Sequence, residues 1–280
     1  MAIKDIFLPL VGEPSAAAIA AIDKCMAVAR DFGARVTAMA LEQDILVRPK
    51  VMISDDLEST AAVEAVRSVS DTRGLLKAFD VAAIRFGVRN EQTLGRLAAS
   101  DIPRHVAIAA RLRDLSLMPV KPNDGPSERI VEALLFESGR PILMCPEEFA
   151  ADLPVVFDHV VIAWDHTAPA ARAVADALPI LQSATSVRII TATDNKTPEQ
   201  LASGAALASH LAEHGTMARF ETVKIDGSSV GKVFEAYVKA NAIDLLVMGG
   251  YRHSRLNEMV WGGATKTVIT RPPCWVMMSH

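Results

Sequence analysis

The feature that most constrains the fold is an internal repeat, because two copies of one sequence pattern require two copies of one structural unit. Each copy has a short apolar run, an alanine-rich amphipathic segment and a second apolar run. This order predicts strand, helix and strand in both places. The corresponding segments are 5–12, 15–32 and 34–40 in the first copy, and 158–165, 168–183 and 186–192 in the second.

The two copies also end alike, each with a proline-started apolar run after a helical segment. A chain of 280 residues is long enough for two domains that each bury a core. We therefore predict an α/β protein with two Rossmann-like domains, residues 1–147 and 157–280, each a five-stranded parallel sheet flanked by helices. The acidic, proline-containing segment 147–156 is interpreted as a linker. The two domains are called the first and second halves below.

Strands and helices are easiest to place in the second half. In the first half, residues 44–97 give a weaker pattern, interpreted as a helix, a strand at Val81–Phe86 and a further helix. We expect each half to form its own sheet, and the last strands, Ile142–Cys145 and Trp275–Met278, to pair with each other because bare apolar edges aggregate. The strands predicted for the second half are 158–164, 186–193, 218–225, 243–248 and 273–278, and the helices are 168–183, 198–215, 228–241 and 264–271.

Composition narrows the classes of partner. The formal net charge is -4 and no basic run is present, so non-specific binding to nucleic acid is not predicted. No run approaches ~20 apolar residues, so no membrane span is expected. Cys25, Cys145 and Cys274 form no CxxC pair and lie among apolar residues. This pattern predicts reduced, buried thiols and a cytoplasmic location.

Candidate binding residues follow from the predicted fold. In a doubly wound sheet, ligands bind beyond the carboxyl ends of the strands, where the strand order reverses. This rule selects residues 163–165 after the first strand of the second half and residues 249–252 after its fourth. Gly262 and Gly263 then open the last helix, whose free amide groups favour an anion such as a phosphate. A helix start without any ligand would show the same glycine pair, so both interpretations stay open.

These residues carry a resemblance to a known family. The run from Leu246 to Val268, followed by the segment 273–278, resembles the C-terminal signature of the universal stress proteins. The segment Val161–Asp165 is similar to the first strand of that family, whose aspartate contacts adenine. The resemblance covers nearly all of the second half and extends to the first half through the repeat. It implies a tandem universal stress protein and ATP as the ligand.

The second half departs from the family pattern at two positions. Family members that bind ATP carry Gly-x-x-Gly, nine residues, and then Gly followed by Ser or Thr. Arg252 replaces the second glycine, and Gly263 replaces the Ser or Thr. Arg252 either fills the ribose and phosphate space, which we favour, or pairs with a phosphate. ATP binding is therefore predicted to be weakened, at Ala163, Trp164, Asp165, Met248, Gly249, Arg252, Gly262, Gly263 and Ala264.

The first half departs further from the family. Val11 or Gly12 aligns with Asp165, and Asp124–Ser138 stands where the glycine motif is expected. No Gly-x-x-Gly is present there. We interpret this half as structural, or as binding something other than ATP.

Other reactive-looking residues are weaker candidates. His210 and His214 are one helical turn apart, but a solvated helix face explains them better than a metal site. Asp165 with His253 and Ser254 suggests a hydrolytic triad, yet Ser254 does not stand in the Gly-x-Ser-x-Gly turn of such enzymes. The neighbouring Asp165 and His166 suit capping or ligand contact better than acid-base catalysis. No catalytic or metal-binding residue is predicted.

The resulting hypothesis is a stress-response protein that acts by binding and association. Its second half would hold a weakened adenine-nucleotide site. Two alternatives remain, a ligand-free structural pseudo-dimer and a slow ATPase, which would need a base or a metal ligand beside the phosphates. We expect either a homo-oligomer or an association of the two halves within one chain.

Overall fold

The computed structural model describes residues 2–45, 55–192, 198–225, 227–250, 252–255, 258–261 and 263–280. For residues 55–62, 199–201, 252–255 and 258–261, only the backbone is described. Within these ranges, strands and helices alternate along the chain, as the repeat predicts.

The first half contains five strands and four helices among its described residues. A short 3-10 helix, Glu147–Asp152, leads from it to the second half. The elements are β1 (Asp5–Leu10), α1 (Ala16–Asp31), β2 (Arg35–Gln43), α2 (Asp55–Phe86), β3 (Asn90–Leu97), α3 (Ile102–Ala110), β4 (Leu115–Val120), α4 (Gly125–Glu137) and β5 (Ile142–Pro146).

The second half repeats this order and adds a hairpin. The hairpin, β10 and β11, stands before the last helix and forms a separate two-stranded antiparallel sheet. The elements are β6 (His159–Ala163), α5 (Ala168–Leu181), β7 (Ser186–Ala192), α6 (Pro198–Glu213), β8 (Ala218–Val223), α7 (Val230–Ala240), β9 (Leu245–Gly249), β10 (Arg252–Arg255), β11 (Glu258–Trp261), α8 (Gly263–Thr270) and β12 (Trp275–Ser279).

The strands of both halves form one ten-stranded sheet in the order β3-β2-β1-β4-β5-β12-β9-β6-β7-β8. Within each half the five strands pair in parallel, as predicted. The halves join where β5 and β12 run antiparallel, with Leu143 opposite Met277. Pairing of the two last strands is therefore confirmed. The expectation of a separate sheet in each half is wrong, because these two apolar edges satisfy their backbone groups by continuing one ladder.

Helices cover both faces of the sheet and form two cores. Side chains alternate along each strand, so that Ile6 and Leu8 of β1 enter one core and Phe7 enters the other. The first core is closed by α1, α2, α5 and α6, and the second by α3, α4, α7 and α8. Strands buried on both faces explain the nearly continuous apolar runs of the sequence.

Side-chain caps fix where several helices begin. Ser15 accepts a hydrogen bond from the amide of Ala18 at 3.1 Å at the start of α1. Thr167 does the same for the amide of Ala170 at 3.3 Å at the start of α5. Each cap satisfies an amide that has no partner inside its helix. The helix starts therefore lie just beyond the carboxyl ends of β1 and β6.

The strand predicted at Val81–Phe86 is wrong, because these residues end the long helix α2. The buried residues of this stretch, Leu75, Phe79 and Ala82, follow helical spacing, whereas Ile84 is 81% exposed. The strand of this region is β3, which lies at the edge of the sheet. Its residues are mostly polar and exposed, so it lacks the apolar pattern by which strands are found.

The segment interpreted as a linker packs against the rest of the protein. Lys24 of α1 donates a hydrogen bond to the carbonyl oxygen of Leu153. The indole Nε1 of Trp275 donates to the carbonyl oxygen of Pro154 at 2.9 Å. Because α1 and Trp275 belong to different halves, the segment contacts both of them.

Candidate functional site

A cleft of about 230 Å³ lies at the carboxyl ends of β6 and β9. The strand order reverses between these neighbouring strands, which is where doubly wound sheets bind ligands. Seven of the nine residues predicted from the sequence line the cleft: Ala163, Trp164, Asp165, Met248, Gly249, Gly263 and Ala264. The structure thus brings together residues as distant in the sequence as Ala163 and Ala264.

Four further lining residues were missed by sequence reasoning: Ala192, Val230, Phe234 and Thr265. Ala192 ends β7, next to β6 in the sheet, and Val230 and Phe234 lie on the first turns of α7. The signal for them was available, because both elements were predicted. Their position over the cleft depends on how α7 packs on the sheet, which the sequence pattern does not give.

Asp165 stands at the rim of the cleft, where β6 passes into α5. Its Oδ1 accepts a hydrogen bond from the amide of Thr167 at 3.0 Å and from the hydroxyl of Thr167 at 2.6 Å. The intervening His166 has a positive φ of 67°, which permits this tight turn. Asp165 Oδ2 makes no hydrogen bond with any described residue, so it can accept one from a ligand.

Trp164 supports the wall of the cleft and is only 8% exposed. Its indole Nε1 donates a hydrogen bond to Ser203 Oγ of α6 at 2.8 Å. Its carbonyl oxygen accepts from Thr191 Oγ1 of β7 at 2.9 Å. These bonds fix the end of β6 relative to its neighbours, and so fix the adjacent Ala163 and Asp165.

The two described glycines of the cleft have different roles. A Cβ at Gly249 would lie 2.5 Å from the amide nitrogen of Ala170, so this glycine lets the start of α5 approach β9. A Cβ at Gly263 would meet no atom of the described residues within 4 Å, its neighbours in the chain aside. Gly249 is therefore explained by packing, whereas Gly263 leaves open space at the start of α8.

Two predicted residues cannot be placed fully. Arg252 begins β10 and pairs through its backbone with Trp261 of β11, but its side chain lies outside the described part of the chain. Gly262 is also outside the described residues. The side chains of His253 and Ser254 are not described either, so the suggested triad with Asp165 stays untested.

The first half has a larger cleft at the equivalent place, about 470 Å³, beyond the ends of β1, β2 and β4. Charged side chains line it, among them Glu13, Arg67, Lys121 and Glu147. The pKa of Glu147 is raised to about 7, chiefly by burial; Lys121 lowers this pKa, while the nearby carboxylates Asp124 and Glu13 raise it. Sequence reasoning did not single out this cleft.

The remaining candidates have structural explanations. The rings of His210 and His214 pack edge to face, with centroids 4.8 Å apart. The described residues hold no group of three or more His, Cys, Asp or Glu side chains arranged to bind a metal ion.

Cys25, Cys145 and Cys274 are unpaired thiols and are buried. Among the described residues, no helix has the length and apolar character needed to cross a membrane.

Comparison with known proteins gives one family match and several similar folds. Residues 157–280 match the model of the universal stress protein family. A universal stress protein from Archaeoglobus fulgidus DSM 4304 superposes with a TM-score of 0.66 at 17% identity, covering 98% of this chain and 97% of that chain. A protein of unknown function from Pseudomonas aeruginosa PAO1 superposes with a TM-score of 0.58 at 12% identity, covering 99% and 92%. The comparison with curated proteins found no match.

The family match and the fold agree on the second half. Its five parallel strands, its cleft and its C-terminal segment all lie within the matched residues 157–280. The structural likeness extends over the first half as well, although identity below 20% supports only the fold there. The second half of this chain is therefore a universal stress protein domain, and its first half has the same fold.

Proposed function

We propose that the second half binds an adenine nucleotide and that the protein serves the stress response by binding rather than by catalysis. The observation that carries this proposal is the cleft at β6 and β9, which gathers seven residues selected from the sequence alone. Membership of the second half in the universal stress protein family supports the role in stress.

The walls of the cleft suit a purine base. Ala163, Val230 and Met248 provide apolar surface for the faces of a flat ring. Asp165 Oδ2 at the rim accepts a hydrogen bond from an amino group such as that of adenine. The cleft, about 230 Å³, is smaller than the ~300–1,000 Å³ of most ligand pockets, so the base occupies it and the phosphates lie outside.

The phosphates would lie at the start of α8. Gly263 and Ala264 begin this helix, whose first amides have no partner within it and attract anions. Lys266 of the same helix pairs instead with Glu128 of α4. Since a Cβ at position 263 meets no atom of a described residue outside its own surroundings in the chain within 4 Å, there is room for the Cβ of Gly263→Ser, which adds the family hydroxyl. It should tighten ATP binding by up to about tenfold, the value of one hydrogen bond.

Titration calorimetry with ATP on the full chain tests the proposal. Asp165→Ala should weaken binding by about 10- to 100-fold, because a charged acceptor is lost. Asp158→Ala is the matched control, since Asp158 lies at the opposite end of β6. There its Oδ1 accepts a hydrogen bond from Thr185 Oγ1 at 2.8 Å. Equal affinity of both variants would overturn the placement of the base.

Two alternatives make different predictions in the same experiment. A ligand-free pseudo-dimer is favoured by the pairing of β5 with β12, and it predicts no ATP binding by the wild type. A slow ATPase predicts release of phosphate from bound ATP. In each case we expect a cytoplasmic protein in which one chain supplies both halves of a dimer-like unit.

A further inference from the structure

The cleft of the first half contains a buried carboxylate without a partner. Glu147 follows β5, is 8% exposed and lines the cavity of about 470 Å³. It makes no hydrogen bond or ion pair with any described residue. Three charged residues change the pKa of Glu147, and all of them line the same cavity: Lys121, Asp124 and Glu13. The carboxylate of Glu147 therefore faces this cavity.

Both cationic side chains that line the described part of the cleft form ion pairs with Glu13. Arg67 contacts Glu13 Oε2 at 2.8 Å, and Lys121 contacts Glu13 Oε1 at 3.1 Å. These bonds hold the pKa of Glu13 below its usual value. Among the described lining residues, five carboxylates stand against two cationic side chains, an excess of three negative charges when all are ionised: Glu13, Glu64, Asp71, Asp124 and Glu147 against Arg67 and Lys121.

The start of α4 is less suited to a phosphate than the start of α8, where the nucleotide phosphates are proposed to lie. Asp124 Oδ2 accepts a hydrogen bond from the amide of Ser127 at 2.9 Å, so the protein's own carboxylate caps this helix. Pro126 in the first turn has no amide hydrogen to donate. The place that an anion would take is therefore filled by a negative charge, which repels phosphates and carboxylates.

Apolar residues form part of the remaining wall, beside polar ones such as Ser68 and Thr72, and favour a ligand with a hydrocarbon body. The apolar residues include Met39, Leu41, Leu75, Ile102 and Val106. We propose that the first half binds a primary amine with an apolar body, whose ammonium group pairs with Glu147. This site is independent of the nucleotide site proposed for the second half. Its volume lies within the range of small-molecule pockets.

Binding should release protons. With a pKa of about 7, Glu147 is protonated in about half of the molecules at neutral pH. An ammonium group beside it favours the charged carboxylate, so the amine displaces the proton. Affinity should therefore rise as pH rises through the neutral range. The other charged groups among the described lining residues are Glu13, Glu64, Arg67, Asp71, Lys121 and Asp124.

Phenethylamine is a suitable probe, with phenylpropionate as the anion of similar shape. In titration calorimetry on the full chain, we expect the amine to bind and the anion not to bind. Glu147→Gln should weaken amine binding by about 10- to 100-fold and abolish proton release, measured in two buffers of different ionisation enthalpy.

Glu148→Gln is the matched control, because Glu148 is the next residue and pairs with Arg271 at 2.6 Å on a different surface. It should bind the amine as the wild type does, and so should Asp165→Ala. The proposal is overturned if the wild type binds phenethylamine no better than phenylpropionate at millimolar concentration. It is also overturned if Glu147→Gln binds the amine unchanged.

Discussion

Met144 of β5 lies opposite Val276 of β12, and both side chains are fully buried where the two halves join. Met144→Ala leaves a cavity at this junction, so we expect it to lower the free energy of unfolding by about 2–5 kcal/mol. Urea denaturation of the full chain measures this loss. Because the two side chains are neighbours, the effects of Met144→Ala and Val276→Ala should not be additive. A double-mutant cycle should give a coupling free energy of about 0.5–3 kcal/mol between them.

The control for this change is Met217→Ala, since Met217 is 84% exposed. This variant should stay within about 0.5 kcal/mol of the wild type. Equal effects of the two methionine substitutions would mean that the junction of β5 with β12 does not contribute to stability in solution. Fast amide exchange in both strands would lead to the same conclusion.

Gly249 gives a second test of packing, this time at the site. Its Cβ would lie 2.5 Å from Ala170 N and 2.7 Å from the carbonyl carbon of Pro169, and backbone atoms cannot move aside cheaply. Gly249→Ala should therefore destabilise the protein by about 1–3 kcal/mol. Gly263→Ala should be neutral or stabilising by up to about 1 kcal/mol, because its Cβ meets open space in a helix. A thermal melt that ranks the two variants in the opposite order contradicts this explanation.

Glu147 should make stability depend on pH. The pKa of Glu147 is about 7 in the folded state and near 4.5 in the unfolded state. Between pH 4.5 and pH 7, the folded state therefore binds more protons than the unfolded state. The free energy of unfolding should therefore fall as pH rises from about 5 to about 7, by an amount of the order of 3 kcal/mol, and then stay level. Denaturation at a series of pH values measures this slope.

Glu147→Gln should remove most of that slope and make the protein more stable than the wild type at about pH 8. Glu148→Gln should keep it. The hydrogen bond with Arg271 lowers the pKa of Glu148. The contribution of Glu148 to the free energy of unfolding is therefore lost only as the pH falls below about 5, outside the range in which Glu147 titrates. An unchanged slope in Glu147→Gln would place the titrating group elsewhere.

Most of the second half could be predicted from its sequence. The apolar runs of β6, β9 and β12 are strands buried on both faces, and such strands are nearly continuously apolar in sequence. In the first half, the segment Val81–Phe86 contains enough β-branched and apolar residues to suggest a strand. It is nevertheless the last part of helix α2, which also carries Phe79. The true edge strand, Asn90–Leu97, has a mostly polar sequence, and most of its residues are exposed at the edge of the sheet.

The site was predicted in part for a similar reason. The rule that ligands bind at strand ends selects Asp165 and Gly249 without knowledge of helix packing. Residues contributed by a helix lying over the sheet, such as Phe234, depend on the packing angle of that helix. The unpartnered state of Glu147 depends on side-chain geometry as well, since the sequence shows only an acidic pair after a strand.

Arg252 provides the last test, because blocking and pairing predict opposite results. If its side chain fills the nucleotide space, Arg252→Gly should tighten ATP binding; if it pairs with a phosphate, the same change should weaken binding by about 1.5–3 kcal/mol. We expect tighter binding, since the family has a glycine here. Arg255→Gly at the other end of β10 controls for the loss of a charge from the same strand. Titrating ATP into the three proteins at one salt concentration compares them directly, and weaker binding by Arg252→Gly alone rejects blocking in favour of a phosphate contact.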